Sequence, residues 1–129
     1  MPARAKPGPI VKERYKDGTL KSAGRYVGRK RDGPWKFYHR DGKPWASGRF
    51  ETGTSVGLWT WYAANGVVRQ RGRFDEDGKQ TGLWKRYQGG TGKLFDEGRY
   101  LAGKRVGLWR TYGKDGKLKR EQRFAAPKR

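Results

Sequence analysis

The sequence predicts an all-β protein, an elongated antiparallel meander of β-hairpin repeats, and three observations lead there. First, a Trp arrives two residues after a Gly and three before a Tyr in Gly33-Pro34-Trp35…Tyr38, Gly57-Leu58-Trp59…Tyr62, Gly82-Leu83-Trp84…Tyr87 and Gly107-Leu108-Trp109…Tyr112. These Trp residues are spaced by 24, 25 and 25 residues. Second, Gly24-Arg25-Tyr26, Gly48-Arg49-Phe50, Gly72-Arg73-Phe74, Gly98-Arg99-Tyr100 and a degenerate Gln122-Arg123-Phe124 interleave with them, their aromatics 24, 24, 26 and 24 residues apart. Self-similarity at such a period marks an array of supersecondary units that bury their apolar faces against one another. Third, the chain holds 21 glycines and no sustained 3.6-residue periodicity, which argues against helices.

Residues 1–13 read as a disordered basic arm, with Arg4, Lys6 and Lys12 among Pro2, Pro7 and Pro9. The repeat domain covers 14–124, and 125–129 form a C-terminal tail. Each unit reads turn, strand, turn, strand. Asp17-Gly18, Asp41-Gly42, Asn65-Gly66, Gly92-Lys93 and Asp115-Gly116 mark one set of turns, because Asp-Gly and Asn-Gly supply the positive φ of tight hairpins. Gly28 to Gly33, Gly53 to Gly57, Asp77 to Gly82 and Gly103 to Gly107 read as a second, glycine-framed set. Between them lie short aromatic-rich segments suited to strands. The sum is about 4.5 repeats of 24–26 residues, about nine or ten strands in a ribbon stabilised by nearest-neighbour stacking.

A chain of 129 residues is one domain by length. Hydrophobic residues make up 33% and the net charge is +20, a balance that leans towards disorder. The periodic aromatics, 14% of the chain, counter it by building a thin ring-based core. In such a core each ring matters, and truncating a buried aromatic to Ala costs ~3–5 kcal/mol. There is no cysteine, hence no disulfide framework or thiolate metal site. No segment approaches the roughly 18 apolar residues of a membrane helix. The expected setting is the cytoplasm.

The Gly-x-Trp-x-x-Tyr strand, the Asp-Gly turn and the Gly-x-Tyr/Phe strand resemble the MORN-repeat variant of bacterial YwqK-type antitoxin proteins, over about residues 14–124. The resemblance implies a non-catalytic β-hairpin array that binds proteins or anionic lipids. Antitoxin activity is implied by membership alone. Gln122 departs from the pattern where a glycine is expected, and the last unit reads as a cap.

Side chains alternate along a strand. With Tyr26, Phe50, Phe74, Tyr100 and Phe124 on the core face beside Trp35, Trp59, Trp84 and Trp109, the residues Arg25, Arg49, Arg73, Arg99 and Arg123 line the other face. Lys36, Thr60, Lys85 and Arg110, each following a Trp, join them in a basic stripe expected to run the length of the ribbon. Strict alternation puts Tyr38, Tyr62, Tyr87 and Tyr112 on that face with Leu58, Leu83 and Leu108, whereas a bulge would return them to the core, and the sequence leaves both open. The stripe reads either as an anion-binding surface, since Arg forks grip phosphate or carboxylate, or as a solvated face whose Arg stems cover cross-strand rings. Two aromatics stand outside the repeat consensus and are candidate hot spots: Trp45, compared with Leu20, Leu94 and Leu118, and Trp61, compared with Phe37, Arg86 and Thr111. Each could equally thicken the core.

Residues 14–122 carry 26 Lys and Arg against 11 Asp and Glu, a net +15, so the charge belongs to the repeats. Such a field attracts nucleic acid, anionic membrane or an acidic partner. It disfavours neutralising a nuclease by DNA mimicry, which needs an acidic surface. Gly89-Gly90-Thr91-Gly92-Lys93 resembles the end of a phosphate-binding loop, but Tyr87 stands where its first glycine is needed and Leu94 where Ser or Thr would hold magnesium. Asp75-Glu76-Asp77-Gly78 lacks the later ligands of a calcium loop. His39 is the only histidine and has no triad or metal partners in the pattern. The expectation is therefore a non-enzymatic scaffold without cofactor or metal. The expected ligand is a protein partner, with a toxin domain implied by the resemblance, or alternatively nucleic acid or acidic phospholipid through the basic face.

Overall fold

Every Gly-Arg-aromatic motif lies in one strand and every Gly-x-Trp motif in the next, so each repeat is a hairpin. The computed structural model describes residues 8–125. The strands are β1 (Val11–Arg14), β2 (Leu20–Val27), β3 (Lys30–Tyr38), β4 (Pro44–Glu51), β5 (Thr54–Tyr62), β6 (Val68–Phe74), β7 (Gln80–Tyr87), β8 (Leu94–Leu101), β9 (Lys104–Tyr112) and β10 (Leu118–Phe124). They form one antiparallel sheet in sequence order, each strand packed on its neighbours in the chain. No helix occurs among the described residues. The arm expected over 1–13 is partly sheet, because β1 pairs with β2 and the Gly8 amide donates to the Tyr26 carbonyl. Residues 1–7 and the tail beyond 125 lie outside the described residues.

The Asp-Gly and Asn-Gly turns are where expected, in loops closed by paired backbone bonds such as the Tyr15 amide to the Thr19 carbonyl and the Gly18 amide to the Tyr15 carbonyl. The Asx side chain accepts an amide two residues on, as from Thr19 to Asp17, Lys43 to Asp41, Val67 to Asn65 and Lys117 to Asp115. Three of the second set of turns are two-residue reversals, and the fourth is a loop over 75–79 between Phe74 and Gln80. Glu51 pairs with Thr54 across only Thr52 and Gly53, whose φ values of 46° and 87° match the right-handed twist of the flanking strands. Gly33, Gly57, Gly82 and Gly107, read as turn ends, lie inside strands. Gly57, at φ 67°, marks a bulge and not a chain reversal.

That bulge organises the core. Pairing of β4 with β5 slips between Ser47 and Arg49, and the Trp59 ring lies flat over Gly48. A Cβ built on Gly48 would stand 2.0 Å from the indole, so only glycine fits there. The same cover recurs for Trp35 on Gly24, Trp84 on Gly72 and Trp109 on Gly98. Each indole N–H donates to the carbonyl of the following Arg: Trp35 to Arg25 at 3.0 Å, Trp59 to Arg49 at 3.1 Å, Trp84 to Arg73 at 3.0 Å and Trp109 to Arg99 at 3.1 Å. Gly-Arg-aromatic is thus half of a lock: glycine receives the ring, the Arg carbonyl takes its N–H, and the aromatic meets its edge. Gln122 has no Trp laid over it, which explains the missing glycine in the last unit. Val11 in β1 pairs with Gly24 as Trp35 pairs with Gly48, so the first strand is a Trp-less half unit.

Candidate functional site

The core face holds the rings as assigned from sequence. Tyr26 meets Trp35, Phe50 meets Trp59, Phe74 meets Trp84 and Tyr100 meets Trp109 edge to face, at centroid distances of 5.1, 5.1, 5.2 and 5.1 Å. Phe124 reaches Trp109 at 6.5 Å. Trp61 belongs to this face, lying between Trp59 at 5.8 Å and Trp84 at 5.7 Å, so it thickens the core. Trp45 is not the equivalent of Leu20, Leu94 and Leu118. Strand pairing aligns Pro44 with Leu20, Val68, Leu94 and Leu118, which puts Trp45 at the bulged position of Lys21, Arg69, Phe95 and Lys119. There it packs on Phe37 at 5.4 Å and beside His39 at 6.5 Å.

The opposite face is built in rows that cross the strands. One row pairs Pro34 with Arg49, Leu58 with Arg73, Leu83 with Arg99 and Leu108 with Arg123. It therefore alternates apolar and Arg side chains. Arg49, Arg73, Arg99 and Arg123 are exposed. Arg25 is half-buried and occupied, since its guanidinium donates to the Gly8 carbonyl at 2.9 Å. The second row runs Lys36, Ser47, Thr60, Arg71, Lys85, Glu97, Arg110, Glu121. Its cationic character ends at Glu97. That carboxylate pairs in register with Lys85 and Arg110 and accepts the Tyr112 hydroxyl at 3.1 Å, while Arg110 reaches Glu121 at 3.4 Å. The basic stripe expected along the whole ribbon is thus unbroken in the first row and interrupted in the second.

The placement of the four tyrosines is resolved by their neighbours. Trp35 and Phe37 share the core face, as do Trp59 and Trp61, so Tyr38 and Tyr62 alternate onto the basic face. Tyr112 bonds Glu97 there, which raises its phenol pKa through desolvation and that hydrogen bond. Tyr87 lines a pocket of about 220 Å³ with Leu58, Arg71, Gly72, Arg73, Leu83 and Lys85. A neighbouring pocket of about 350 Å³ shares Leu83 and continues along Arg99, Leu108 and Arg110. Sequence reasoning missed Arg71, because an Arg two before the motif Arg occurs in this unit alone. The register of β6 against β5 and β7 reveals it. The glycine-rich stretch 89–93 is a widened hairpin turn, closed by the Gln88 amide on the Lys93 carbonyl. The Asp75 carboxylate is spent on the amides of Asp77 and Lys79 in its own loop.

Residues 31–51, 55–76 and 105–126 match the MORN repeat variant. The chain belongs to that family. MORN repeats are binding and scaffold modules, and the three matched segments each contain a Trp strand or Gly-Arg-aromatic strand of the lock described above. No curated protein matches the chain. Among solved structures it is similar to a mutant of S. aureus TarM in complex with fondaparinux, α-GlcNAc-glycerol and UDP, at 13% identity and a TM-score of 0.47, covering 75% of this chain and 19% of that one. A second TarM crystal structure is similar at 14% identity and a TM-score of 0.44, covering 75% of this chain and 18% of that one. This MORN-repeat chain has no helix among its described residues long and apolar enough to cross a membrane.

Proposed function

We propose that this MORN-repeat protein is a non-enzymatic scaffold that binds a protein partner through the face bearing Arg49, Arg71, Arg73, Lys85 and Arg99. The observation that carries the reading is the alternation of exposed leucines with exposed arginines: Leu58 is 37% and Leu83 43% exposed, each directly cross-strand from an Arg. Apolar anchors ringed by charge are the makings of a protein interface. A toxin domain, with this chain as its antitoxin or immunity protein, is the partner that the resemblance to YwqK-type proteins implies. The second reading, an anionic ligand such as nucleic acid or acidic phospholipid, rests on the unbroken Arg row and the tyrosines beside it.

Capture from nuclease-treated source-cell lysate, with an Arg71→Ala/Arg73→Ala variant alongside, tests both. One stoichiometric protein retained by the wild type and lost by the variant supports the first reading. Species that disappear with nuclease, or affinity that collapses steeply with salt, favour the second.

A further inference from the structure

The pocket at the middle of the basic face is where apolar surface and cations outside any salt bridge coincide, although Glu97 stands cross-strand from Lys85. Its walls are Leu58 and Leu83, both exposed, and Tyr87; its rim carries Arg71, Arg73 and Lys85. No salt bridge engages these three cations among the described residues, whereas further along the second row Arg110 is bridged to Glu121. The floor is the backbone of Gly72, whose opposite side is covered by Trp84. A ligand seated here meets backbone directly, with a rigid indole behind it. We propose that this pocket receives an apolar side chain flanked by carboxylates, presented by an extended acidic segment of a protein partner.

The inference rests on the protein-partner reading above and narrows it. Charge complementarity sets the acidic character: three cations converge on one pocket in a domain of high positive charge. The leucines set the apolar component, since a phosphate backbone has nothing to place between them. The interrupted second row disfavours a long uniform polyanion, which would run from Lys85 onto Glu97 and, two strands on, Glu121. A short segment centred on β5–β7 avoids both carboxylates. Guanidinium forks suit bidentate carboxylate contacts, and the neighbouring groove along Leu83 and Leu108, which Glu97 also lines, limits the segment to the β5–β7 pocket.

Fluorescence anisotropy with the full chain tests this using three probes at near-physiological salt: a peptide alternating Glu and Leu, an all-Glu peptide of equal length, and single-stranded oligo-dT. The Glu-Leu peptide is expected to bind about tenfold tighter than all-Glu, the value of burying roughly one leucine side chain. Leu83→Ser should bring the two peptides level, and Leu58→Ser should do the same if either variant is compromised. Arg73→Gln should weaken both peptides alike. These side chains are exposed, so circular dichroism and melting should match the wild type. Equal affinity for the two peptides, no binding of either, or tighter binding of oligo-dT than of Glu-Leu would each overturn the proposal. The same variants in the lysate capture separate the two claims. A protein lost by Arg73→Gln when no peptide binds would mean that a folded surface docks here, leaving the partner reading intact and the extended segment refuted.

Discussion

The two halves of the sheet fill the same column of the core face in opposite ways. In the N-terminal half, Trp35, Phe37, Trp59 and Trp61 form a continuous run of rings that ends on Trp84 of β7, with successive centroids 5.9, 6.3, 5.8 and 5.7 Å apart and planes 26°, 27°, 26° and 31° to one another. In the C-terminal half, the positions of Phe37 and Trp61 are taken by Arg86 and Thr111. Arg86 makes a two-bond ion pair with Asp96, which is buried to 3% exposure, and lies over the Phe95 ring at 5.5 Å. The small residue opposite each ring, Ala46 beside Phe37 and Trp61, becomes the acid opposite the Arg. The comparison separates what the repeat requires from what it permits. The Trp on glycine is kept in every full unit, while the next position along accepts a ring, an ion pair or a threonine provided its neighbour complements it. Because strands pack on their neighbours, and the rings reach only one strand further, such differences stay local and grade the stability along the array.

The largest expected effect contrasts Trp59→Ala with Trp109→Ala. Trp59 touches rings on both sides and its loss should cost ~3–5 kcal/mol in urea denaturation. Trp109→Ala should release protection in amide exchange for β9 and β10 while sparing β3–β6. Equal loss of protection across the sheet in both variants would mean that the halves are one cooperative unit and would break the comparison.

Next comes Gly48→Ala against Gln122→Gly. The first drives a methyl into Trp59 and should destabilise by ~1–3 kcal/mol, the range of an overpacked core. The second removes a side chain that no indole covers and should shift stability by less than about 0.5 kcal/mol, aside from the flexibility glycine adds. A third test converts one half into the other. Arg86→Phe with Asp96→Ala copies the Phe37–Ala46 pair; only Asp96 of the ion pair is buried, the Arg86 side chain being 42% exposed, so the double variant is expected to be close to neutral. Asp96→Ala alone should lower the melting temperature, and if the double variant is no better than that single one, the column is not interchangeable.

The smallest effect concerns alkaline pH. The Tyr26 hydroxyl donates to Glu13 at 2.6 Å, and that bond, then burial, raises the phenol pKa above its ordinary value of 10.0. A raised folded-state pKa stabilises below the unfolded value and is lost as pH rises through the folded one. The Tyr26→Phe variant should therefore be slightly less stable than wild type at neutral pH, and the gap should close as pH rises beyond about 10. A gap independent of pH would remove the phenol from the account. Arg73→Ala, on the exposed row, should leave the melting temperature nearly unchanged.

The periodicity of Trp and Gly-Arg-aromatic was enough to read the meander, the core rings and the Arg row, because each is set by local pattern and strand alternation. What escaped was set by slips of register. Counted back from the Gly-Arg-aromatic motif, Trp45 is the equivalent of Lys21 and Pro44 that of Leu20, and the strand pairing shows what the count does not, that this position is the bulged one. The four glycines within strands looked like turn ends for the same reason. Glu97 and Arg71 share the face of Arg99 and Arg73 by alternation, but as neither belongs to a repeated motif, the row they form shows only when β6, β7 and β8 are laid side by side.

Gln122 shows how an array of this kind governs its own growth. A further strand carrying a Trp could not seat on β10 as the others seat on β4, β6 and β8, because the ground its indole would occupy already holds a side chain, tied to Arg120 at 2.8 Å. Open sheet edges invite addition of strands from other molecules. Here one amide side chain closes that edge to the protein's own repeat, and a tandem duplication that places a Trp strand beside β10 would have to restore glycine at 122 to extend the sheet in register.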